Sequence, residues 1–383
     1  MSASIPLSVL DLVPISSGSD ASQALANSVD LARRTEAAGY VRYWVAEHHL
    51  NPGVAGTNPA LVIALLAGAT STIRVGSGAV QMGHHTPLSV VEQFGLIDAL
   101  HPGRIDLGLG RSGARRTPAG AGAPAATPAR RTDEGLLIPA PFSFAHLIGS
   151  PRFALQRALL QQPGAETPDY ASQVDDIVAL LAGTYRNDDG VEAHVVPGEG
   201  ARLDVWILGS SGGESATLAG QRGLPFAANY HVAPANVLDA VGGYRAAFRP
   251  SARLARPYVA VSADVVVAPT DDEARELATG YGLWVRSIRT AEGAIAFPTP
   301  DDARAHRWSD EDRALVQDRI DTQLVGSPAT VADQLEVLAA ATGADELVLT
   351  TITHDHRDRV RSYDLIAREW ARRAATVAVA ASA

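Results

Sequence analysis

The chain has 383 residues, of which 46% are hydrophobic and only 19% charged, so it can bury a large core and does not read as disordered. Its formal charge of −10 argues against general binding to nucleic acid or anionic membranes, although a few of its 32 basic residues, all arginine, can still build a local anion site. It has no cysteine, which excludes disulfides, thiolate metal sites and cysteine nucleophiles.

The opening segment has no basic stretch, and Pro6, Asp11 and Pro14 break its apolar run, so no secretory signal is expected there. No run of about 18 apolar residues occurs, so no transmembrane helix is expected and the cytoplasm is the expected compartment. Residues 5–13 read as a strand and 19–38 as a helix, capped by Ser19 or Asp20 and stopped at Gly39. A strand over 41–46 follows, then a helix over 58–71 with Pro59 suited to its first position. Residues 73–81 form a third strand, 87–100 a third helix and 104–109 a fourth strand.

The alternation then breaks. Residues 113–141 are rich in Ala, Pro, Gly and Thr and read as a long irregular loop over the mouth of the fold, part of an insertion spanning about 113–165. A helix over 169–182, a strand over 203–208 and a helix over 214–222 restore the rhythm. A short strand over 225–229, a helix over 235–248 and a strand over 258–267 come next, followed by one long helix over 271–290. Residues 291–309 read as irregular, within a second insertion at about 285–310. Helices over 310–323 and 328–341, a last strand over 346–351 and a helix over 357–374 complete the pattern. Eight apolar strands, each followed by at least one helix, predict a parallel sheet covered on its outer face. The expected fold is α/β, a single (β/α)8 TIM barrel over 1–376 with insertions at its C-terminal mouth and a frayed tail at 377–383. A doubly wound open sheet is the runner-up, and the lack of a G-x-G-x-x-G after the first strand counts against it.

In such a barrel, chemistry sits on the loops after the strands. Glu47-His48-His49 follow the second strand, where a neutral imidazole can move a proton or bond a planar ring. Adjacent residues on an extended chain point opposite ways, so His48 and His49 are a poor pair for one metal ion. Gly76-Ser77-Gly78-Ala79 end the third strand, where glycines favour a bulge or a close approach by a ligand. Arg111 follows the fourth strand and can fork onto phosphate oxygens. Gly209-Ser210-Ser211-Gly212-Gly213-Glu214-Ser215 has the composition of a phosphate cradle at a helix N-terminus, though it is not a P-loop. His84-His85 read as a solvated loop, and His354 and His356 as possible parts of the mouth.

Taken together, Tyr43–His49, Ile73–Val80, Leu100–Arg111, Trp206–Ser211, Arg222–Pro225 and Gly326–Pro328 resemble the bacterial-luciferase-like flavin-dependent monooxygenases and oxidoreductases, in order and in spacing. The resemblance covers most of the chain outside the two insertions. It implies FMN, or the deazaflavin F420, at the C-terminal mouth. It further implies that Gly78 and Ala79 form a bulge with a non-proline cis peptide beneath the ring. Arg111, Ser210, Ser211 and Ser215 would grip the phosphate, and His48 would be the catalytic histidine. Trp44, Tyr230, His231 and Trp284 are candidate substrate-pocket residues. Gly110 stands where luciferase has a cysteine, so light emission is not implied, and the Gly/Ser loop is one residue longer than luciferase's. The expected activity is a two-component monooxygenase: reduced FMN arrives from a separate NAD(P)H flavin reductase, O2 adds to it as a flavin peroxide, and a small organic substrate is oxygenated. An F420-dependent dehydrogenase or reductase on the same scaffold is the alternative, with Arg115 and Arg116 joining Arg111 at the mouth. A non-catalytic flavin-binding protein is the third reading. A homodimer is expected; a metal site is not.

Overall fold

A computed structural model describes residues 5–111 and 127–381. Eight parallel strands carry the fold: β1 Leu7–Asp11, β2 Arg42–Val45, β3 Arg74–Ser77, β4 Ile105–Gly110, β5 Asp204–Gly209, β6 Phe226–Asn229, β7 Val259–Val267 and β8 Glu346–Thr350. They pair in chain order, β8 returns to β1, and β7 pairs with β6 as well as β8, so the sheet closes into a barrel. Helices lie between successive strands, which confirms the (β/α)8 expectation.

Alternation along each strand sends side chains to two different cores. Val9, Tyr43, Val45, Leu107 and Leu109 point outward and pack under the helices. Leu10, Trp44, Ala46, Trp206, Ala227, Ala260 and Val348 belong to a second cluster inside the barrel. The rings of Trp44 and Trp206 meet edge to face at 5.0 Å and fill the lumen at mid-height. Below them the lumen is closed by charge. Arg42 bonds Asp106 at 2.8 Å and Glu346 at 3.2 Å, and Arg74 bonds Asp106 at 2.7 Å. Both carboxylates are fully buried, and the Trp44 indole N–H adds a bond to Asp106 at 2.9 Å. A plug of this kind leaves the opposite, C-terminal end as the open one.

Local chemistry explains most boundaries. Asp20 caps the helix Ala21–Ala37 through its side chain, and Asn58 caps Pro59–Ala69 with Pro59 in the first turn. Five expectations need correction. The strand expected over 73–81 is interrupted: it ends at Ser77 and pairing resumes only at Val80–Gln81, with the cis Gly78–Ala79 peptide between. The long helix expected over 271–290 is two, Asp271–Leu277 and Tyr281–Arg289; the break holds Gly280 against Phe297 and Pro298, where a Cβ would come within 2.9–3.0 Å of both. The first insertion is more regular than its composition suggested. It contains the hairpin Arg130–Arg131/Leu137–Ile138 and the helix Pro151–Leu160, which Ser150 caps through its hydroxyl. The second insertion is ordered too: Phe297 donates to Ile15 at 2.8 Å, Gly53 donates to Ala294 at 2.7 Å, and a helix follows at Pro300–Ala305. The final helix, His356–Ala381, continues past the expected end at 374 into the tail expected to fray, and residues 382–383 lie outside the described residues.

Gly108 shows why the strand ends need glycine. A Cβ there would fall 2.0 Å from the Ser77 carbonyl oxygen, and the Ser77 hydroxyl bonds both Gly108 N and Gly108 O at 2.9 Å. No helix among the described residues is long and apolar enough to cross a membrane.

Candidate active site

A cavity of about 930 Å3 opens at the C-terminal ends of the strands. That volume lies at the upper end of the usual range for small-molecule sites. His48, Gly78, Ala79, Arg111, Ser210, Ser211, Ser215, Trp44, His231 and Trp284 all line it, so ten of the eleven sequence-derived site residues meet in one place. The exception is Tyr230. It follows the inward-facing Asn229 and therefore points outward, where its hydroxyl donates to the Leu137 carbonyl at 2.7 Å beneath the hairpin. It is not a pocket residue.

The wall nearest β2 is built on Glu47. This carboxylate is buried and accepts bonds from His49 at 2.8 Å, from His85 at 2.9 Å and from the Gln81 amide at 2.7 Å. Burial by itself would raise its pKa; the two histidine bonds and the Gln81 amide override that and hold it at about 2. His85 is thus a partner of Glu47 rather than a solvated loop residue. His84 lines the cavity and meets His49 edge to face at 5.8 Å. His48 takes no part in these bonds. Its backbone N–H donates to Gly56 at 2.8 Å, and its Nδ1 has no partner among the described residues. Burial pushes its imidazole down to about 4, so it is neutral at physiological pH. No group of three or more His, Asp or Glu placed to hold a metal ion occurs among the described residues.

Across the cavity, β7 contributes Ser262 and Asp264 from the same inward face. His231 bonds the Ser262 hydroxyl at 2.6 Å, and burial, then the nearby Arg319 charge, pushes it down to about 3. Arg319 bonds Asp264 at 3.1 Å and the Tyr281 hydroxyl at 2.6 Å, and Tyr281 also donates to Asp264. Burial pushes the Asp264 carboxyl up, against the pull of Arg319. Sequence reasoning named His231 but missed Ser262, Asp264, Tyr281 and Arg319. Two polar residues two positions apart in the otherwise apolar strand VAVSADVVV were the signal available.

The Gly78 backbone lies flush against the barrel interior; a Cβ there would come within 2.8 Å of Leu10 and 3.2 Å of Trp44. At the rim, Gly110 pairs with Leu208 across β4 and β5, which brings Arg111 beside the Gly/Ser loop. Arg111 forms an ion pair with Glu214, the first residue of the helix Glu214–Gln221. Ser210 and Ser211 are exposed, Ser215 is half-buried, and Asp239 accepts the Gly212 amide at 2.7 Å. His354 and His356 do not line the cavity: they bond Ser17 at 3.2 Å and Asp30 at 2.9 Å. Arg115 and Arg116, expected at the mouth, lie outside the described residues.

The first insertion roofs the cavity with Phe144, Leu147, Arg152, Phe153, Gln156 and Arg157, which sequence reasoning left as irregular mouth. Ser150-Pro151 was the legible cap signal for its helix. Five residues that line the cavity carry buried polar atoms without a partner among the described residues: His48 Nδ1, His84 Nδ1, Trp284 Nε1, Arg319 Nε and Thr350 Oγ1. These atoms sit behind the lining rather than on the cavity's open surface.

The sequence model of the family described as luciferase-like monooxygenase matches residues 5–138 and 159–346. A relative named luciferase-like monooxygenase from Escherichia coli (strain K12) is 35% identical over 361 residues, covering 94% of this chain and 96% of its own. Among solved structures, apo-MsnO8 superposes with a TM-score of 0.76 at 32% identity over 96% of this chain and 97% of its own. The oxygenating constituent of 3,6-diketocamphane monooxygenase from the CAM plasmid of Pseudomonas putida, solved in complex with FMN, shares the fold with a TM-score of 0.61 at 20% identity, over 95% of this chain and 98% of its own.

Proposed function

Because the chain belongs to the luciferase-like monooxygenase family, we propose that it is a flavin-dependent monooxygenase that uses reduced FMN and O2 on a small organic substrate. The observation that carries this reading is His48: a neutral imidazole with an unpartnered Nδ1, in a cavity it shares with the Gly78–Ala79 bulge and the Arg111/Ser211 rim. The residues fit the cofactor. A planar ring needs a wall without side chains, and Gly78 and Ala79 offer one. A phosphate needs donors at the rim, and Arg111, Ser210, Ser211 and Ser215 supply a guanidinium and three hydroxyls at a helix N-terminus.

When bound, reduced FMN supplies the two electrons that let one oxygen atom of O2 enter the substrate while the other leaves as water. The chain's own part is to orient and to shield. Trp44, Trp284, Phe144 and Phe153 present apolar surface that keeps bulk water from the cavity. The His48 imidazole donates or accepts a hydrogen bond at the reacting centre without bringing a charge, since it is neutral above about pH 5. Glu47 fixes the His48 segment from behind by tying down His49, His85 and Gln81.

Reduced flavin would come from a separate NAD(P)H flavin reductase. A homodimer is part of the same proposal: Leu61 and Leu65 on one helix and Leu88, Leu96 and Leu100 on its neighbour are between 46% and 79% exposed, a face that a second copy would cover. The second reading is F420-dependent hydride transfer. An F420-dependent secondary alcohol dehydrogenase shares this fold with a TM-score of 0.60 at 13% identity. Anaerobic titration of the protein with reduced FMN and with reduced F420 separates them. Binding of reduced FMN and not of F420 supports the oxygenase; the reverse overturns it. His48→Ala is expected to leave flavin binding within about threefold and to raise hydrogen peroxide release about tenfold per oxygen consumed. Unchanged coupling between oxygen use and substrate oxidation would remove His48 from the chemistry.

A further inference from the structure

The family's sequence model stops at residue 138 and resumes at 159. The unmatched stretch, which includes most of the roof of the cavity, lies outside the part of the chain that the family pattern describes. Its helix, Pro151–Leu160, sends Arg152, Phe153, Gln156 and Arg157 toward the cavity.

Five arginines line the cavity and only two carboxylates do, Glu214 and Asp264. Three of the arginines are neutralised: Arg111 by Glu214, Arg319 by Asp264, and Arg289 by Asp318 behind the wall. Arg152 and Arg157 have no carboxylate within 4.0 Å among the described residues. Arg152 spends its hydrogen bonds on neutral groups, the Leu50 carbonyl and the Asn51 side chain, and so fastens the roof to the segment just past His48. Arg157 exposes its guanidinium at the cavity edge. A guanidinium stays protonated at any working pH, so both charges persist. The floor carries no net charge to match: His48 and His231 are neutral, and Arg319 is balanced by Asp264. Uncompensated positive charge is therefore confined to the roof, above a body that includes the Trp44 and Trp284 side chains.

We infer that the roof selects an organic anion as substrate, with its carboxylate or sulfonate bound by Arg157 and its apolar end directed down toward His48. This rests on the oxygenase reading of the cavity. Arg152 acts as a positioning residue that holds the roof helix over the site, and the flat, two-donor edge of Arg157 matches a carboxylate or sulfonate. The anion could instead come from a cofactor's acidic tail, and the test separates the two sources.

Full-length protein equilibrated with FMN is titrated calorimetrically with hexanoate, hexane-1-sulfonate and the uncharged hexanamide. The anions are expected to bind about tenfold more tightly than the amide, the factor expected of one charge-assisted hydrogen-bonded contact. Arg157→Gln should bring the three ligands to within about twofold of one another while leaving FMN affinity within about twofold, and Arg157→Lys should restore part of the preference. Equal binding of anion and amide by the unaltered protein overturns the inference, as does a preference that survives Arg157→Gln. Loss of FMN or F420 affinity in Arg157→Gln would assign the roof charge to the cofactor and overturn it equally. Failure of the unaltered protein to bind FMN would count against the cofactor reading alone, because the anion preference is still read with flavin-free protein.

Discussion

Replacing Glu214 by Gln tests whether the rim takes a phosphate. Glu214 holds the Arg111 guanidinium that a phosphate would need, and the two side chains retain 32% and 33% of their exposure. Pairs this close to solvent contribute about 0.2–1 kcal/mol, so releasing Arg111 is worth about 1.4- to 5-fold in Kd. Removing the carboxylate also removes repulsion between two like charges at the same helix end, which acts in the same direction. Glu214→Gln is therefore expected to bind FMN about 2- to 5-fold more tightly, with a gain that shrinks as salt rises from about 30 mM to about 500 mM. Stability should move the other way. Glu214 opens the helix Glu214–Gln221, where a negative charge favours the helix dipole by about 0.3–1 kcal/mol, so the variant should melt slightly earlier. Fluorescence titration with FMN, and with riboflavin as the phosphate-free control, reads the effect. A Kd for FMN that rises or stays constant, or an equal change for riboflavin, would refute the assignment of Arg111 to the phosphate.

Two further outcomes concern stability. The imidazoles of His48 and His231 sit at about 4 and about 3 in the folded protein, against about 6.5 when unfolded. The unfolded chain therefore takes up protons first, so stability is full above about pH 6.5, falls through the window from 6.5 to 4 for His48 and to 3 for His231, and is level below. For half-buried groups the loss by pH 5 should be about 1–2 kcal/mol each, and urea unfolding of His48→Gln should show a correspondingly flatter pH dependence; identical slopes in the two proteins would contradict the folded-state value for His48. Gly108→Ala places a methyl 2.0 Å from the Ser77 carbonyl oxygen and should destabilise the barrel by about 3 kcal/mol; an unchanged urea midpoint would show that β3 and β4 can separate freely.

Element order was legible because it is written in local patterns. Apolar runs of strand length, separated by capped amphipathic helices, leave little choice but a covered parallel sheet, and Asp20, Asn58 and Pro59 mark helix starts that the structure keeps. Much of the cavity was legible for a related reason: in a barrel, every strand's C-terminal end faces the same mouth, so His48, Gly78, Arg111 and Ser211 had to converge once the strands were placed. Tyr230 failed at the finest level of this logic, since a shift of one residue along a strand turns a side chain from the lumen to the helices. Partnerships were not legible at all. Nothing local ties Glu47 to His85, Arg319 to Asp264 or Arg111 to Glu214, which are separated by 38, 55 and 103 positions. Barrel closure brings these groups within bonding distance, and burial then decides which charges persist and which imidazoles stay neutral. Composition likewise hid the roof helix, whose Phe153 and Arg157 gain meaning only from the cavity they cover. The sequence by itself determined the order of strands and helices and the residues offered to the mouth; the tertiary structure decided their partners, their charges and what shuts them from water, because those depend on contacts between segments far apart in the chain.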